Sequence, residues 1–115
     1  VPGKEMLMPL YSVQASYSSA SWKHQVEAQP DARARVSGLV ESLGGRFVDA
    51  YYTFGDHDIL IIAELPDNAT AAAVSIAASA GGALTSIKTT PLLTLEEGKQ
   101  VLTKAGQGKY KAPVG

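Results

Sequence analysis

Five consecutive residues, Ile59-Leu60-Ile61-Ile62-Ala63, offer no polar position, and they follow a polar turn, Gly55-Asp56-His57-Asp58. Side chains of a strand alternate between the two faces of its sheet, so a strand with one wet face should alternate apolar and polar residues. This one does not, and both of its faces are expected to be covered. One cover is the chain's own helices; the other is a partner subunit.

The remaining elements are read by the same periodicities. Leu10 to Ala15 alternates at period two and gives a half-buried first strand that ends in the polar cluster Ser16 to Ser21. Trp22, Val26, Val36, Leu39, Val40 and Leu43 recur at helical spacing, but Pro30 cannot sit inside a helix without losing a hydrogen bond, so the helical stretch is split or kinked there. Pro30-Asp31 suits the opening of the second piece, with the ring at the first helical position, and Gly44-Gly45 suits its left-handed end. A second strand is expected over Arg46 to Phe54, with aromatic side chains on both faces, and a third over Asp58 to Leu65. Pro66-Asp67-Asn68 then offers an N-cap for an alanine-rich helix from about Ala69 to Ala80, thin enough to dock closely. Gly81-Gly82 ends it, Leu84 to Thr90 forms a fourth strand, and Thr94 with Glu97 spells a capping box for a short terminal helix.

Strand, helix, strand, strand, helix, strand is the split βαβ order of α+β, ferredoxin-like folds, βαββαβ, in which a four-stranded antiparallel sheet carries both main helices on one face. The other face is then bare in a single copy. An exposed apolar patch of that size points to self-association as a dimer or larger.

The totals narrow the function classes. A chain of 115 residues is one domain's length and can hold a core without disulfides or metal. Ten Lys plus Arg against eleven Asp plus Glu, with no long run of one sign, argue against nucleic acid or an anionic membrane as partner. The absence of cysteine removes thiol chemistry and thiolate metal sites. No stretch has the length of a membrane span, so the chain reads as cytoplasmic, while its start at Val1 leaves a cleaved export signal open.

Met8-Pro9-Leu10-Tyr11, Ser16-Tyr17 with Trp22, Leu39 to Gly45, Phe54-Gly55-Asp56-His57-Asp58 and Lys88 to Thr94, in that order, resemble the GYD domain family. The resemblance implies a fold of the dimeric α/β-barrel type, in small bacterial proteins mostly without an assigned activity. The family's naming turn matches at Gly55 and Asp58 and departs at His57, where it has tyrosine. Met8 matches the usual start, which makes 1–7 an N-terminal extension, 8–106 the domain and 107–115 a mobile tail.

Candidate chemistry gathers in two places. Histidine is the side chain suited to proton transfer near neutral pH, and flanking Asp56 and Asp58 give His57 a carboxylate to orient it as a general base; the competing reading is a turn and nothing more. Tyr17, Trp22, Tyr51 and Tyr52 suit an aromatic-lined pocket with polar atoms at its rim, and Lys88 suits an anion or a carbonyl compound; the competing readings are packing for the aromatics and a solvated ammonium for Lys88. No metal set is expected, because alternation turns Asp56 and Asp58 away from His57 and His24 lies in a distant helix. No cofactor is expected; the glycine pairs match no phosphate-binding loop. The leading expectation is a homo-oligomer binding a small molecule. The alternatives are a cofactor-free enzyme of the oxygenase or isomerase kind, which the resemblance to dimeric α/β-barrel folds implies, and a purely structural assembly protein.

Overall fold

The computed structural model describes residues 8–114; the expected extension over 1–7 lies outside them, as does Gly115. The order is β1 (Leu10–Tyr17), α1 (Ser19–Ala28), α2 (Ala32–Ser42), β2 (Arg46–Tyr52), β3 (Ile59–Glu64), α3 (Asn68–Ala80), β4 (Leu84–Leu92) and α4 (Leu95–Gln107). The sheet is antiparallel in the order β2-β3-β1-β4, which is the ferredoxin-like arrangement. The two outer connections carry α2 and α3 back over the same face.

Register separates the two faces. Tyr11, Val13 and Ala15 of β1 stand opposite Ala63, Ile61 and Ile59 of β3, and opposite Pro91, Thr89 and Ile87 of β4. This is the covered face, where Tyr11, Ala63 and Leu65 pack with Val40, Ala71 and Val74, and Ala15 and Ile59 pack with Val36. Leu10, Ser12, Gln14, Leu60, Ile62, Thr90 and Leu92 point the other way. The third strand is therefore apolar on both faces, as its composition requires, with Ile62 and Leu60 on the uncovered side. That side is more mixed than expected: polar Ser12, Gln14, Lys88 and Thr90 are interspersed, and Tyr51 is its one aromatic strand residue.

Several element ends differ from the sequence expectation for local reasons. The helical stretch is indeed split, but Asp31, not Pro30, marks the start of α2: its carboxylate accepts from the Ala34 N–H at 3.0 Å, which makes it the N-cap and leaves the proline outside. Gln29 takes the left-handed conformation that ends α1. β1 runs on to Tyr17, held by pairing to β4 as far as Leu84. β2 stops at Tyr52 because the hairpin takes over, and Phe54 stands 98% exposed at its tip. Within β2 the register slips between Phe47 and Asp49, a bulge that puts Phe47 on the covered face although strict alternation would group it with Asp49 and Tyr51.

The caps follow the sequence closely. Asp67 accepts from the backbone N–H and the hydroxyl of Thr70, which hold its carboxyl below the usual range. Thr94 and Glu97 exchange the reciprocal bonds of a capping box at the start of α4. At 13 residues α4 is longer than the short helix expected, and none of its residues is buried.

Candidate functional site

The β2–β3 hairpin is built by backbone and hydroxyl bonds. Thr53 N–H donates to the Asp58 carbonyl and Thr53 Oγ1 to the His57 carbonyl, both at 2.8 Å, while Asp58 N–H donates to the Ala15 carbonyl at 2.8 Å. Gly55 has φ +129°, a conformation that a side chain resists. This geometry sorts the three polar side chains of the turn, Asp56, His57 and Asp58, into two groups.

Asp58 turns its carboxylate toward β1 and α1. Its Oδ2 accepts from the Tyr17 N–H at 2.9 Å and from the Trp22 indole N–H at 3.2 Å. The Trp22 ring meets Tyr17 edge-on at 5.1 Å between centroids and leans on Tyr52 at 6.3 Å. Tyr17, Trp22 and Tyr52, named from sequence as pocket aromatics, are thus brought together, with Asp58 as the clasp that joins hairpin, first strand and first helix. Both contacts of its Oδ2 run toward β1 and α1, so Asp58 tethers the hairpin to them.

His57 and Asp56 belong to the other group. They line a shallow depression of about 310 Å³ with Gln14, Thr53, Phe54 and Lys88. The sequence treated Lys88 separately; the pairing of Gln14 with Lys88 in the β1–β4 register is what carries it to the hairpin. An imidazole, a carboxylate and an ammonium around one hollow can move a proton and hold an anion.

Tyr51 lies elsewhere. Its hydroxyl donates to Asp49 Oδ2 at 3.0 Å, which raises its pKa. Asp49 accepts in addition from the Ala50 N–H and from Arg33, and these bonds hold its carboxyl below the usual range. Tyr51 and Tyr52 line a cleft of about 240 Å³ at the β2 edge with Ala32, Arg33, Ala50 and Ile59.

A further cavity takes in only one of the sequence-predicted positions, Tyr17. It measures about 350 Å³ and lies between α2 and α3 over the covered face of the sheet. Val13, Ala15, Ile59, Ile61 and Ile87 form its floor; Val36, Leu39 and Val40 form one wall, and Val74, Ala77 and Ala78 the other. The expectation that α3 docks closely along its length holds at Ala71 and Val74, which are buried. It fails toward the helix end, where Ala77 and Ala78 present single methyl groups while Ile76 points outward, 69% exposed, so the facing helices do not close. Tyr17 and Arg35 are the two lining residues with polar side chains. Arg35 was not singled out from sequence; its signal was its place on the same helical face as Val36, Leu39 and Val40.

Among the described residues no group of three or more His, Cys, Asp or Glu is placed to hold a metal ion, and no helix is long and apolar enough to cross a membrane. The family model of the GYD domain matches residues 11–102. The chain belongs to the GYD domain family. No curated protein matches it in sequence. Among solved structures, this GYD protein is similar to an AsnC family transcriptional regulator from Agrobacterium tumefaciens, at 19% identity and a TM-score of 0.50, over 82% of this chain and 56% of that one. It is similar also to MtbAldR, at 14% identity and a TM-score of 0.49, over 75% of this chain and 52% of that one. The GYD chain spans little more than half the length of either, and at 19% identity the likeness to the AsnC family regulator is one of fold.

Proposed function

We propose that this GYD protein is a self-associating small-molecule-binding protein whose ligand lies in the cleft between α2, α3 and the sheet. The cleft itself carries this reading: about 350 Å³ of space falls within the range of small-molecule sites, its lining is hydrocarbon apart from Tyr17 and Arg35, and no histidine or carboxylate reaches it. Such a lining holds a ligand without acting on it. Native mass spectrometry of protein taken from its source should retain a small molecule, and Ala78→Phe, which fills the cleft from the α3 side, should lose it. A parent that carries nothing, and whose melting temperature no apolar metabolite raises, would remove the reading.

Self-association is supported by two uncovered apolar surfaces. Leu10, Leu60, Ile62 and Leu92 lie on the open face of the sheet, and Leu95 and Leu102 of α4 are 87% and 73% exposed. Ile62→Lys is expected to convert the oligomer to monomer in sedimentation at micromolar concentration, because an unpaired ammonium is costly to bury between subunits. A parent that sediments as a monomer would refute the association.

One observation favours a second reading, a cofactor-free enzyme acting on a small organic substrate: His57, Asp56 and Lys88 share one hollow. There His57 would transfer the proton and Lys88 would hold an anionic group. His57→Gln should then abolish a pH-dependent turnover while leaving affinity within a few-fold, since glutamine hydrogen-bonds but does not titrate near neutrality. A variant that binds, assembles and melts like its parent assigns His57 to the turn.

A further inference from the structure

The cleft has a charged end. Arg35 Nη2 donates to the Tyr17 hydroxyl at 3.0 Å, and its guanidinium lies 5.9 Å from the centre of the Tyr17 ring. Both are neutral partners. The two ion pairs found among the described residues engage the other arginines of the fold, Arg33 with Asp49 at 3.0 Å and Arg46 with Glu64 at 2.6 Å. Arg35, between them in sequence, makes no ion pair among the described residues and lies exposed at the edge of the hydrocarbon-lined cleft.

An arginine carries five N–H donors in a planar fork, of which the bond to Tyr17 uses one. The Tyr17 hydroxyl, which accepts that bond, keeps its own hydrogen to donate. One end of an apolar cleft therefore presents a cation and a hydroxyl donor, with no acidic side chain among the lining residues. A carboxylate matches a guanidinium fork with two parallel hydrogen bonds, and a single negative charge balances a single arginine. Inorganic phosphate has no hydrocarbon part to set against the apolar walls. The volume sets the size: at about 30 Å³ for each water-sized unit, 350 Å³ holds roughly a dozen non-hydrogen atoms.

We propose that the cleft binds a small amphiphilic monocarboxylate, its carboxylate held by Arg35 and the Tyr17 hydroxyl and its hydrocarbon part enclosed by Val13, Ile61, Val74 and Ala78. This rests on the reading of the cleft as the ligand site, and it adds the chemical class of the ligand. Tyr17 thereby serves two parts of the fold: its backbone N–H is clasped by Asp58, which fixes the phenol that Arg35 leans on.

The test is calorimetric titration of the full chain with octanoate and with octan-1-ol, which share a tail and differ in the head group. The parent should bind octanoate at least about tenfold more tightly than octan-1-ol, the scale of a charge-assisted hydrogen bond. Arg35→Gln should erase that preference and leave octan-1-ol binding as it was; Arg35 is exposed, so the fold should persist by circular dichroism. Tyr17→Phe should weaken octanoate several-fold, and Arg33→Gln, on the same helix but outside the cleft, should change neither. Equal affinities in the parent, or an octanoate affinity that survives Arg35→Gln, would overturn the carboxylate assignment while keeping the cleft as a binding site. Binding of neither probe would overturn both. Octanoate that breaks the oligomer apart in sedimentation would show the cleft to be the seat of a protein segment, and the proposal would fall.

Discussion

Leu65→Ala is expected to lower stability by about 4 kcal/mol, within the usual range for a buried leucine that leaves a cavity. Leu65 is 0% exposed and sits where four pieces of the fold meet: Tyr11 of β1, Val40 of α2, Ala63 of β3, and Ala71 and Val74 of α3. Its N–H also donates to the Pro9 carbonyl at 3.0 Å, so the backbone is held in place and cannot sink into the space left behind. A small domain has roughly 5–15 kcal/mol in all, so the loss is a large share of it. Chemical denaturation should show the midpoint move with the slope unchanged; a variant within about 1 kcal/mol of the parent would show that the site collapses around the missing atoms.

Gly45→Ala is expected to cost about 3 kcal/mol, the upper end for an atom forced into a packed site. A β-carbon built there would lie 2.6 Å from Leu65 Cδ2, 2.7 Å from the Glu64 carbonyl oxygen and 3.0 Å from Val40 Cγ1. The leucine can turn aside, but the carbonyl belongs to β3, an interior strand of the sheet, and moving it disturbs a ladder. In a Leu65→Ala background the same substitution should cost less, because one of the three obstructing atoms is gone, and the remaining penalty then reports the Glu64 carbonyl and Val40 Cγ1. Additive effects in that cycle would disprove the contact. Neighbouring Gly44 differs in kind: its need is conformational, φ +86°, with nothing closer than 3.9 Å to an added carbon.

Features that depend on a few adjacent residues were legible in the sequence. The N-cap at Asp67, the Thr94–Glu97 box, the left-handed Gly44 and the positive φ of Gly55 each follow from local backbone needs, and the split βαβ order follows from where those punctuators fall. The bulge in β2 was not legible, since whether Phe47 or Val48 turns inward is decided by β3 and α2, far away in sequence. Of the candidate site, Tyr17, Trp22 and Tyr52 do meet, and His57 does share a hollow with Asp56. The cleft escaped because it is a distance between two helices. Alanines at 77 and 78 read as close docking in sequence, and the same small side chains leave a gap once α2 is held off by Val36 and Leu39.

The two rims of the sheet carry a further consequence. β4 contains Pro91, which has no N–H to offer and fits a paired strand only with its nitrogen turned outward, and β2 carries the bulge beside Val48. Each rim is thus poorly matched to an additional strand, from this chain or any other. Lateral growth of the sheet is discouraged at both ends, which guards the fold against the edge-to-edge strand pairing that builds open-ended fibres.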